Sequence, residues 1–195
     1  MNADRRAFLD ELYAHGREHD ARHEDRLARL RNVEPETAEL LGVLVRALGA
    51  RRVLEIGTSN GYSTIWLADA ALAVGGAVVS LEVEPERTAQ ALANLTRAGV
   101  KGAADLRVQD AAEAIPGYAD GSWDLIFLDA ERPAYVGYWP DLQRVLVPAG
   151  LLVVDNALSH AADLVEFSEL VYATPGVTST LLPVGAGVLL IVKSD

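Results

Sequence analysis

No cysteine occurs among the 195 residues of this chain. The lack excludes a disulfide framework and thiol catalysis, and it is compatible with a reducing compartment. Long hydrophobic runs are also missing: the longest uncharged apolar stretch, residues 70–81, is shorter than the roughly 20 residues that cross a bilayer. The first residues lack the apolar core of a signal peptide. We therefore expect a soluble, cytoplasmic protein without a membrane partner.

Positive charge is scarce, with 17 Lys and Arg against 28 Asp and Glu and a formal net charge of −11. The first 34 residues are nearly neutral, so the excess of acids lies in residues 35–195. An acidic surface repels a phosphate backbone. We therefore expect a small-molecule substrate and no nucleic-acid partner.

Short apolar runs alternate with helix-like segments through residues 35–195, and glycine or proline separates them. This alternation predicts an α/β fold with a doubly wound, Rossmann-like sheet, mostly parallel, and helices on both faces. Two last β-rich runs, residues 177–182 and 187–192, predict a hairpin with an antiparallel strand at the sheet edge. The length fits one such domain over residues 35–195, preceded by a helical arm over residues 1–34.

The arm, residues 1–34, is predicted to form a long polar helix over residues 3–31, with Gly16 as the candidate break. Its thin apolar stripe favours packing on a partner subunit, as in a homodimer, or over a substrate cleft. The stripe consists of Phe8, Leu9, Leu12, Leu27 and Leu30.

Three histidines of the arm, His15, His19 and His23, follow one another at intervals of four residues. On a helix this spacing places them on one face, where they could hold a transition metal. No cysteine or carboxylate pattern completes such a site, so we favour a solvated face of titratable groups.

One stretch, VLEIGTSNGYST at residues 53–64, combines the signals of a strand, a glycine turn and a helix. Glycines such as Gly57 and Gly61 let the backbone approach a ligand, and the helix start offers free N–H groups. Their spacing matches neither the dinucleotide pattern G-x-G-x-x-G nor the phosphate-binding loop. Glu55 suits a cationic ligand better than a pyrophosphate, which favours S-adenosylmethionine. The alternative is a purely structural strand–turn–helix.

Five predicted strands end in an acid, and the ends of parallel strands share one rim where ligands bind. Glu82 lies about twenty residues past the glycine turn, the separation typical of an acid that accepts hydrogen bonds from ribose hydroxyls. Asp110 could contact an adenine amino group. The alternative is that each acid caps a helix or lies in a solvated loop. The five acids are Glu55, Glu82, Asp110, Asp129 and Asp155.

Asp129, Asp155 and Asn156 form a second group at these strand ends. Two carboxylates and an amide oxygen make an all-oxygen site that suits Mg²⁺ or Ca²⁺ and not Zn²⁺. A metal there could bind vicinal oxygens of a substrate and lower the pKa of one hydroxyl. The alternative is that residues 155–156 are a turn dipeptide and Asp129 is a helix cap.

The chain resembles the cation-dependent class I O-methyltransferases, the family of catechol and caffeoyl-CoA O-methyltransferases and their bacterial relatives. The resemblance runs from about residue 33 to residue 193. Its motifs are VLEIGT with GYS at residues 53–63, LEVEPER at residues 81–87, WDLIFLDA at residues 123–130 and PAGLLVVDN at residues 148–156.

This resemblance implies roles for the residues at the matching positions. Glu55, Ser59 and Ser63 would hold the methionine part of S-adenosylmethionine, and Gly57 and Gly61 would shape the turn. The remaining residues of the cofactor set are Tyr62, Glu82 for the ribose, Asp110 and Ala111 for the adenine, and Asp129. Asp129, Asp155 and Asn156 would be the metal ligands. The family's frequent dimers also favour a homodimer.

One position departs from the family pattern. Three residues after Asp129 the family usually has a lysine that acts as general base or positioning charge, and this chain has Arg132. An arginine stays protonated and cannot abstract a proton, but it could stabilise a phenolate or bind a substrate carboxylate. His160 is a substitute candidate base, with a surface histidine near the next helix as the alternative.

We therefore predict an S-adenosylmethionine-dependent O-methyltransferase that uses a divalent cation, with Mg²⁺ favoured, on a small hydroxylated, catechol-like aromatic acceptor. Two alternatives stay open: a metal-independent methyltransferase in which Arg132 binds an acidic substrate, and a non-catalytic protein that binds S-adenosylmethionine. A nucleotide-dependent oxidoreductase is the least favoured reading.

Overall fold

The apolar runs form seven strands of one sheet in the computed structural model, which describes residues 1–194. In chain order they are β1 Arg52–Ile56, β2 Ala77–Glu82, β3 Ala104–Val108, β4 Trp123–Leu128, β5 Leu146–Val154, β6 Val177–Leu182 and β7 Val188–Lys193. Across the sheet the order is β3-β2-β1-β4-β5-β7-β6. The direction of winding therefore reverses between β1 and β4, where ligands bind in doubly wound folds.

The predicted sheet is confirmed, with one difference at its C-terminal end. The pairs of β1 with β2 and β4, β2 with β3, and β4 with β5 are parallel. β7 pairs antiparallel with both β5 and β6, so the antiparallel strand lies inside the sheet and β6 forms the edge. Because β7 is mostly apolar and half of its residues are buried, whereas β6 is half polar and none of its residues is buried, β7 is the better interior strand.

Residues 1–194 contain seven α-helices, of which two precede β1 and five connect strands. They are α1 Ala3–Asp20, α2 Pro35–Leu48, α3 Tyr62–Ala73, α4 Pro85–Arg97, α5 Ala111–Ala114, α6 Tyr135–Val145 and α7 Val165–Ala173. A short 3₁₀ turn, Ala161–Leu164, directly precedes α7, and β5 is the longest strand at nine residues.

Alternating strand residues bury into two apolar layers, one on each face of the sheet. Val53, Leu125 and Phe127 lie in the layer with α1–α4, while Leu54 and Ile126 lie in the layer with α5–α7. This alternation is the period of two that a strand imposes on its side chains. The helices therefore hold the sheet from both sides and leave its strand ends open as a rim.

The continuous arm helix predicted over residues 3–31 is wrong. α1 ends at Asp20, whose carboxylate accepts backbone N–H bonds from Leu30 at 2.7 Å and Arg31 at 2.9 Å and turns the chain back. Gly16 does not break α1; a Cβ there would lie 2.4 Å from Asn32 of the returning segment. Residues 21–34, which we call the returning segment, contain only a 3₁₀ turn, Arg26–Ala28.

The apolar stripe of α1 packs on this chain rather than remaining free for a partner. Phe8, Leu9 and Leu12 are buried in the same layer as α2 and α3, and Asp69 of α3 forms an ion pair with Arg5. Leu27 of the predicted stripe is exposed. The homodimer therefore stays a prediction that this stripe no longer supports.

The predicted row of three arm histidines is not one helical face. His23 lies beyond the end of α1, where its ring stacks on that of His19 with the centroids 4.0 Å apart. Nδ1 of His23 is 2.8 Å from the carbonyl oxygen of His19. The pair therefore belongs to the reversal of the chain after α1.

The ends of β1 and β4 approach closely at the reversal point. Gly57 has φ +106°, and a Cβ there would lie 2.2 Å from the carbonyl oxygen of Asp129. Only glycine combines that backbone conformation with that contact. The approach therefore brings the glycine turn directly beside Asp129.

None of the helices in residues 1–194 is both long enough and apolar enough to cross a membrane.

The close approach predicts a large cost for Gly57→Ala. Gly75→Ala is the matched control, because Gly75 also has a positive φ, +73°, but a Cβ there meets nothing within 4 Å. We expect the control to lose about 1–2 kcal/mol of unfolding free energy. Gly57→Ala should lose about 1–3 kcal/mol more, from the backbone clash. Urea denaturation of both variants measures the difference, and equal losses would contradict the steric role of Gly57.

Candidate functional site

A cavity of about 970 Å³ opens at the rim between β1 and β4. Of the predicted site residues, all but Glu55 and Gly61 line this one cavity. Those that line it are Gly57, Ser59, Tyr62, Ser63, Glu82, Asp110, Ala111, Asp129, Arg132, Asp155, Asn156 and His160. The structure therefore brings the predicted cofactor and metal residues to a single site.

Glu55 lies behind the glycine turn and not on the cavity wall. Its carboxylate is fully buried and accepts hydrogen bonds from the hydroxyls of Ser63 at 2.6 Å, Ser80 at 2.5 Å and Thr64. Burial raises the pKa of Glu55 to about 7, although the three hydroxyls oppose the rise. Glu55 thus ties the turn to β2 and α3, and its predicted contact with a cofactor stays a prediction.

Gly61 shapes the start of α3. It has φ +85°, and a Cβ there would lie 2.8 Å from Leu95 and 3.1 Å from Ala91 of α4. Its lack of a side chain lets α3 begin close against α4. Gly61 therefore has the position expected of a turn-shaping residue.

Glu82 is almost fully buried at the end of β2. Its carboxylate accepts backbone N–H bonds from Ser59 at 2.8 Å, Val83 at 2.9 Å and Glu84 at 3.1 Å. A carboxylate has about four acceptor positions, so capacity remains for a donor in the cavity. These bonds hold the carboxylate at the cavity wall and fix the turn residue Ser59.

Asp110 and Ala111 lie at the start of α5, on the same side of the cavity as Glu82. The Asp110 carboxylate accepts the N–H of Ala112 at 2.8 Å and so caps α5. Tyr138 lines the cavity as well, and burial followed by the charge of Asp110 raises the pKa of its phenol. Sequence reasoning did not assign Tyr138, although the tyrosines of α6 were a usable signal.

Asp129, Asp155 and Asn156 converge at the other side of the cavity. The amide nitrogen of Asn156 donates to Oδ1 of Asp129 and Oδ2 of Asp155, both at 3.1 Å. Burial raises the pKa of both aspartates; for Asp155 the charge of Asp129 adds to the rise, whereas for Asp129 the charges of Arg31 and Arg132 partly offset it. Two adjacent buried carboxylates repel each other unless a cation or a proton neutralises them.

No group of three or more histidine, cysteine or acidic side chains within residues 1–194 is arranged to hold a metal ion. The predicted metal ligands include two carboxylates. Asn156 supplies a third oxygen only if its side-chain amide is flipped, so that Oδ1 and Nδ2 exchange places. Ser159 Oγ, which donates to Oδ1 of Asn156 at 3.2 Å, can equally accept from the turned amide. The oxygen donors present therefore fit a hard divalent cation.

Arg132 and His160 lie at the same end of the cavity as this triad. The Arg132 side chain is only 5% exposed, and its Nε pairs with Asp163 at 3.3 Å. Burial first, and then the charge of Arg132, lower the pKa of His160 below its usual value. A histidine in this setting is neutral near pH 7 and available as a proton acceptor.

The returning segment forms a wall of the cavity that sequence reasoning missed. Ser59 Oγ donates to the Leu30 carbonyl at 2.7 Å, and Arg87 donates to the carbonyls of Leu27 and Arg29. Across the cavity mouth, Glu131 pairs with Arg31 at 2.9 Å and with Arg26. A continuous helix over residues 3–31 would not bring these residues back over the cavity, so the prediction missed the contacts. The polar run at residues 20–26 was the sequence feature that could have indicated the end of the helix.

A doubly wound sheet of this strand order, with a glycine turn after β1 and acids at its rim, defines a protein of the nucleotide-cofactor-binding class. Comparison with known sequences makes the class specific. A sequence model of the family described as O-methyltransferase matches residues 3–194. The chain belongs to the O-methyltransferase family.

Curated relatives and solved structures agree with this assignment. The chain is 40% identical over 134 residues to a catechol O-methyltransferase of Mycobacterium tuberculosis, an alignment that covers 69% of this chain and 60% of that protein. It spans about three fifths of the length of the curated relatives it matches first.

Among solved structures, a cofactor-bound protein from MTB is 31% identical with a TM-score of 0.79, covering 97% of this chain and 96% of that one. An O-methyltransferase from Bacillus cereus in complex with SAH is 27% identical with a TM-score of 0.78, covering 96% and 91%. The fold is therefore shared along nearly the whole described chain.

The raised pKa of Glu55 predicts that Glu55→Gln flattens the pH dependence of stability. The carboxyl titrates near 4.5 when exposed and near 7 in the folded chain. The folded state thus binds one proton more between these values, so the stabilising contribution is complete below pH 4.5 and is lost as the pH rises to 7. The variant should lose less stability across this window, by about 3 kcal/mol.

Urea denaturation across the same pH window measures this difference. Glu113→Gln is the control, because Glu113 is exposed and is not part of the cluster of hydroxyl side chains around Glu55. Identical pH slopes for the wild type and Glu55→Gln would show that Glu55 does not titrate in this range.

Proposed function

We propose that this protein is an S-adenosylmethionine-dependent O-methyltransferase for a small hydroxylated, catechol-like acceptor. The observation that carries the proposal is the shared cavity: the turn residues 57–63, Glu82 and Asp110 line one side, and Asp129, Asp155 and Asn156 converge on the other. The M. tuberculosis relative is named a catechol O-methyltransferase, and the B. cereus O-methyltransferase was solved in complex with SAH, and both findings support the proposal.

The cofactor side of the cavity offers groups for each part of S-adenosylmethionine. Ser59 and Ser63 face the methionine part, with Tyr62 and Gly57 completing the turn, and Glu55 positions Ser63 through its 2.6 Å hydrogen bond. Glu82 accepts the ribose hydroxyls. Asp110 and Ala111, with Tyr138 opposite, border the adenine.

The acceptor side suits a divalent cation, with Mg²⁺ favoured, held by Asp129, Asp155 and Asn156. A bound Mg²⁺ would lower the pKa of an acceptor hydroxyl and orient its oxygen. The residues themselves supply the ligand oxygens, and the two carboxylates supply negative charge that the cation balances. The single cavity would bring the acceptor close to the methyl donor, and such positioning is a large part of catalysis in a group transfer.

Two further side chains act on the acceptor. His160, neutral near pH 7, accepts the proton that leaves the hydroxyl. Arg132 remains protonated and supplies a fixed positive charge at this end of the cavity. We assign residues 1–34 as an arm that packs on the sheet layer through α1 and covers the cavity through the returning segment, and residues 35–195 as the methyltransferase domain.

Metal removal tests the acceptor site. We expect a chelator to stop methyl transfer to catechol and added Mg²⁺ to restore it. Asp155→Asn keeps the shape of the side chain but removes one ligand charge, so it should lower divalent-dependent turnover by about 100-fold or more. Affinity for S-adenosylhomocysteine, measured by calorimetry, should change by less than about threefold, because Asp155 lies on the acceptor side.

Asp120→Asn is the control, because Asp120 is exposed and pairs with Arg144 away from the cavity. Turnover that survives chelation would favour the metal-independent methyltransferase. Tight cofactor binding without transfer to any phenol would favour the non-catalytic protein.

A further inference from the structure

We propose that Arg132 binds an anionic group of the acceptor, so that the preferred acceptor is a catechol with a ring carboxylate rather than a neutral catechol. The inference rests on the proposed methyltransferase function and specifies its substrate class. It starts from one buried guanidinium whose hydrogen bonds are incomplete.

Arg132 is a buried cation with only one partner. Its Nε pairs with the carboxylate of Asp163, which is itself 53% exposed. Within residues 1–194 neither terminal nitrogen of Arg132 has a hydrogen-bond partner, and neither is sealed from the cavity that the residue lines. Burying a charge is unfavourable unless partners replace the lost water. The two nitrogens therefore form an unused fork of donors at the cavity wall.

The metal triad does not use this fork. No ion pair joins Arg132 to Asp129 or Asp155 in the described chain, although its positive charge offsets part of the rise in the pKa of Asp129. Arg132 is therefore near the triad but not bonded to it. This separation suits a ligand whose hydroxyls reach the triad and whose second polar group reaches Arg132.

The charge around the fork favours an anion. Arg26, Arg31 and Arg132 contribute three guanidiniums, and their ion-pair partners Glu131 and Asp163 contribute two carboxylates. Among these five side chains one positive charge remains in excess, in a chain whose net charge is −11. Because the triad carboxylates are balanced when a divalent ion is bound, this positive charge is not cancelled by them.

The planar shape of the Arg132 guanidinium favours a carboxylate as its ligand. A planar guanidinium donates two parallel hydrogen bonds to a carboxylate, and charge-assisted pairs of this kind are stronger than neutral ones. A lysine at this position would offer a single ammonium instead. The replacement by arginine thus exchanges a proton acceptor for an anion-binding fork, and His160 is left to take the proton.

The test compares three acceptors that share the catechol ring: protocatechuate, which carries a carboxylate; its neutral amide; and catechol. For the wild type we expect kcat/KM for protocatechuate to exceed that for the amide by about tenfold. Arg132→Gln should raise KM for protocatechuate by about 10-fold to 100-fold, and this increase should exceed the increase in KM for catechol by about tenfold. The KM of Arg132→Lys for protocatechuate should lie between the values of the wild type and Arg132→Gln, because the lysine keeps the positive charge.

Binding without turnover provides the second readout. Calorimetry with S-adenosylhomocysteine and Mg²⁺ present should show that Arg132→Gln weakens the binding of protocatechuate by the same factor by which it raises the KM. Arg22→Gln is the matched control: it removes an arginine that is 75% exposed, pairs with Glu18 and does not line the cavity. Thermal unfolding of each variant confirms that it is folded.

Equal effects of Arg132→Gln on protocatechuate and catechol would overturn the inference, as would a wild type that prefers the amide. Lack of methyl transfer to all three acceptors would overturn the proposed function instead. In that case calorimetry still decides the inference, because it measures whether the carboxylate depends on Arg132.

Discussion

The contact between Gly57 and the Asp129 carbonyl is the constraint on which the site depends. Since a Cβ at Gly57 would lie 2.2 Å from that oxygen, the ends of β1 and β4 meet only with glycine there. This contact joins the two proposed halves of the site, because it places the glycine turn, assigned to the cofactor, beside Asp129, assigned to the acceptor side. Behind it, Glu55 binds hydroxyls from β2 and α3 and holds the turn in place. Rigid support of this kind fixes the distance between reacting groups.

The rim gathers negative charge that the fold must balance. Glu82 is balanced by three backbone N–H groups, while Asp129 and Asp155 face each other with raised pKa values. Backbone donors leave a carboxylate ionised as an acceptor, whereas an unbalanced pair of carboxylates suits a cation. Arg132 adds a third pattern, a buried cation whose terminal nitrogens have no hydrogen-bond partner within residues 1–194. These three patterns match the cofactor, metal and acceptor roles that we propose along one cavity.

The core of the fold was predictable because strand and helix periodicities are local properties of sequence. The strand-end acids were predictable as a group because parallel strands place their ends on one rim. The returning segment was not, because Asp20 turns the chain through contacts with Leu30 and Arg31, ten or more residues away. Likewise, a motif alone does not reveal that Glu55 points behind its turn. Long-range hydrogen bonds decided both cases.

We propose that one cavity holds a methyl donor and a metal-bound acceptor on opposite sides of the β1–β4 junction. The most direct measurement is a crystal structure grown with S-adenosylhomocysteine and Mn²⁺, with the metal located by its anomalous scattering. We expect the metal among Asp129, Asp155 and Asn156, with the ribose on Glu82 and the sulfur facing the metal. A metal signal elsewhere, or a cofactor that does not contact Glu82, would contradict this arrangement.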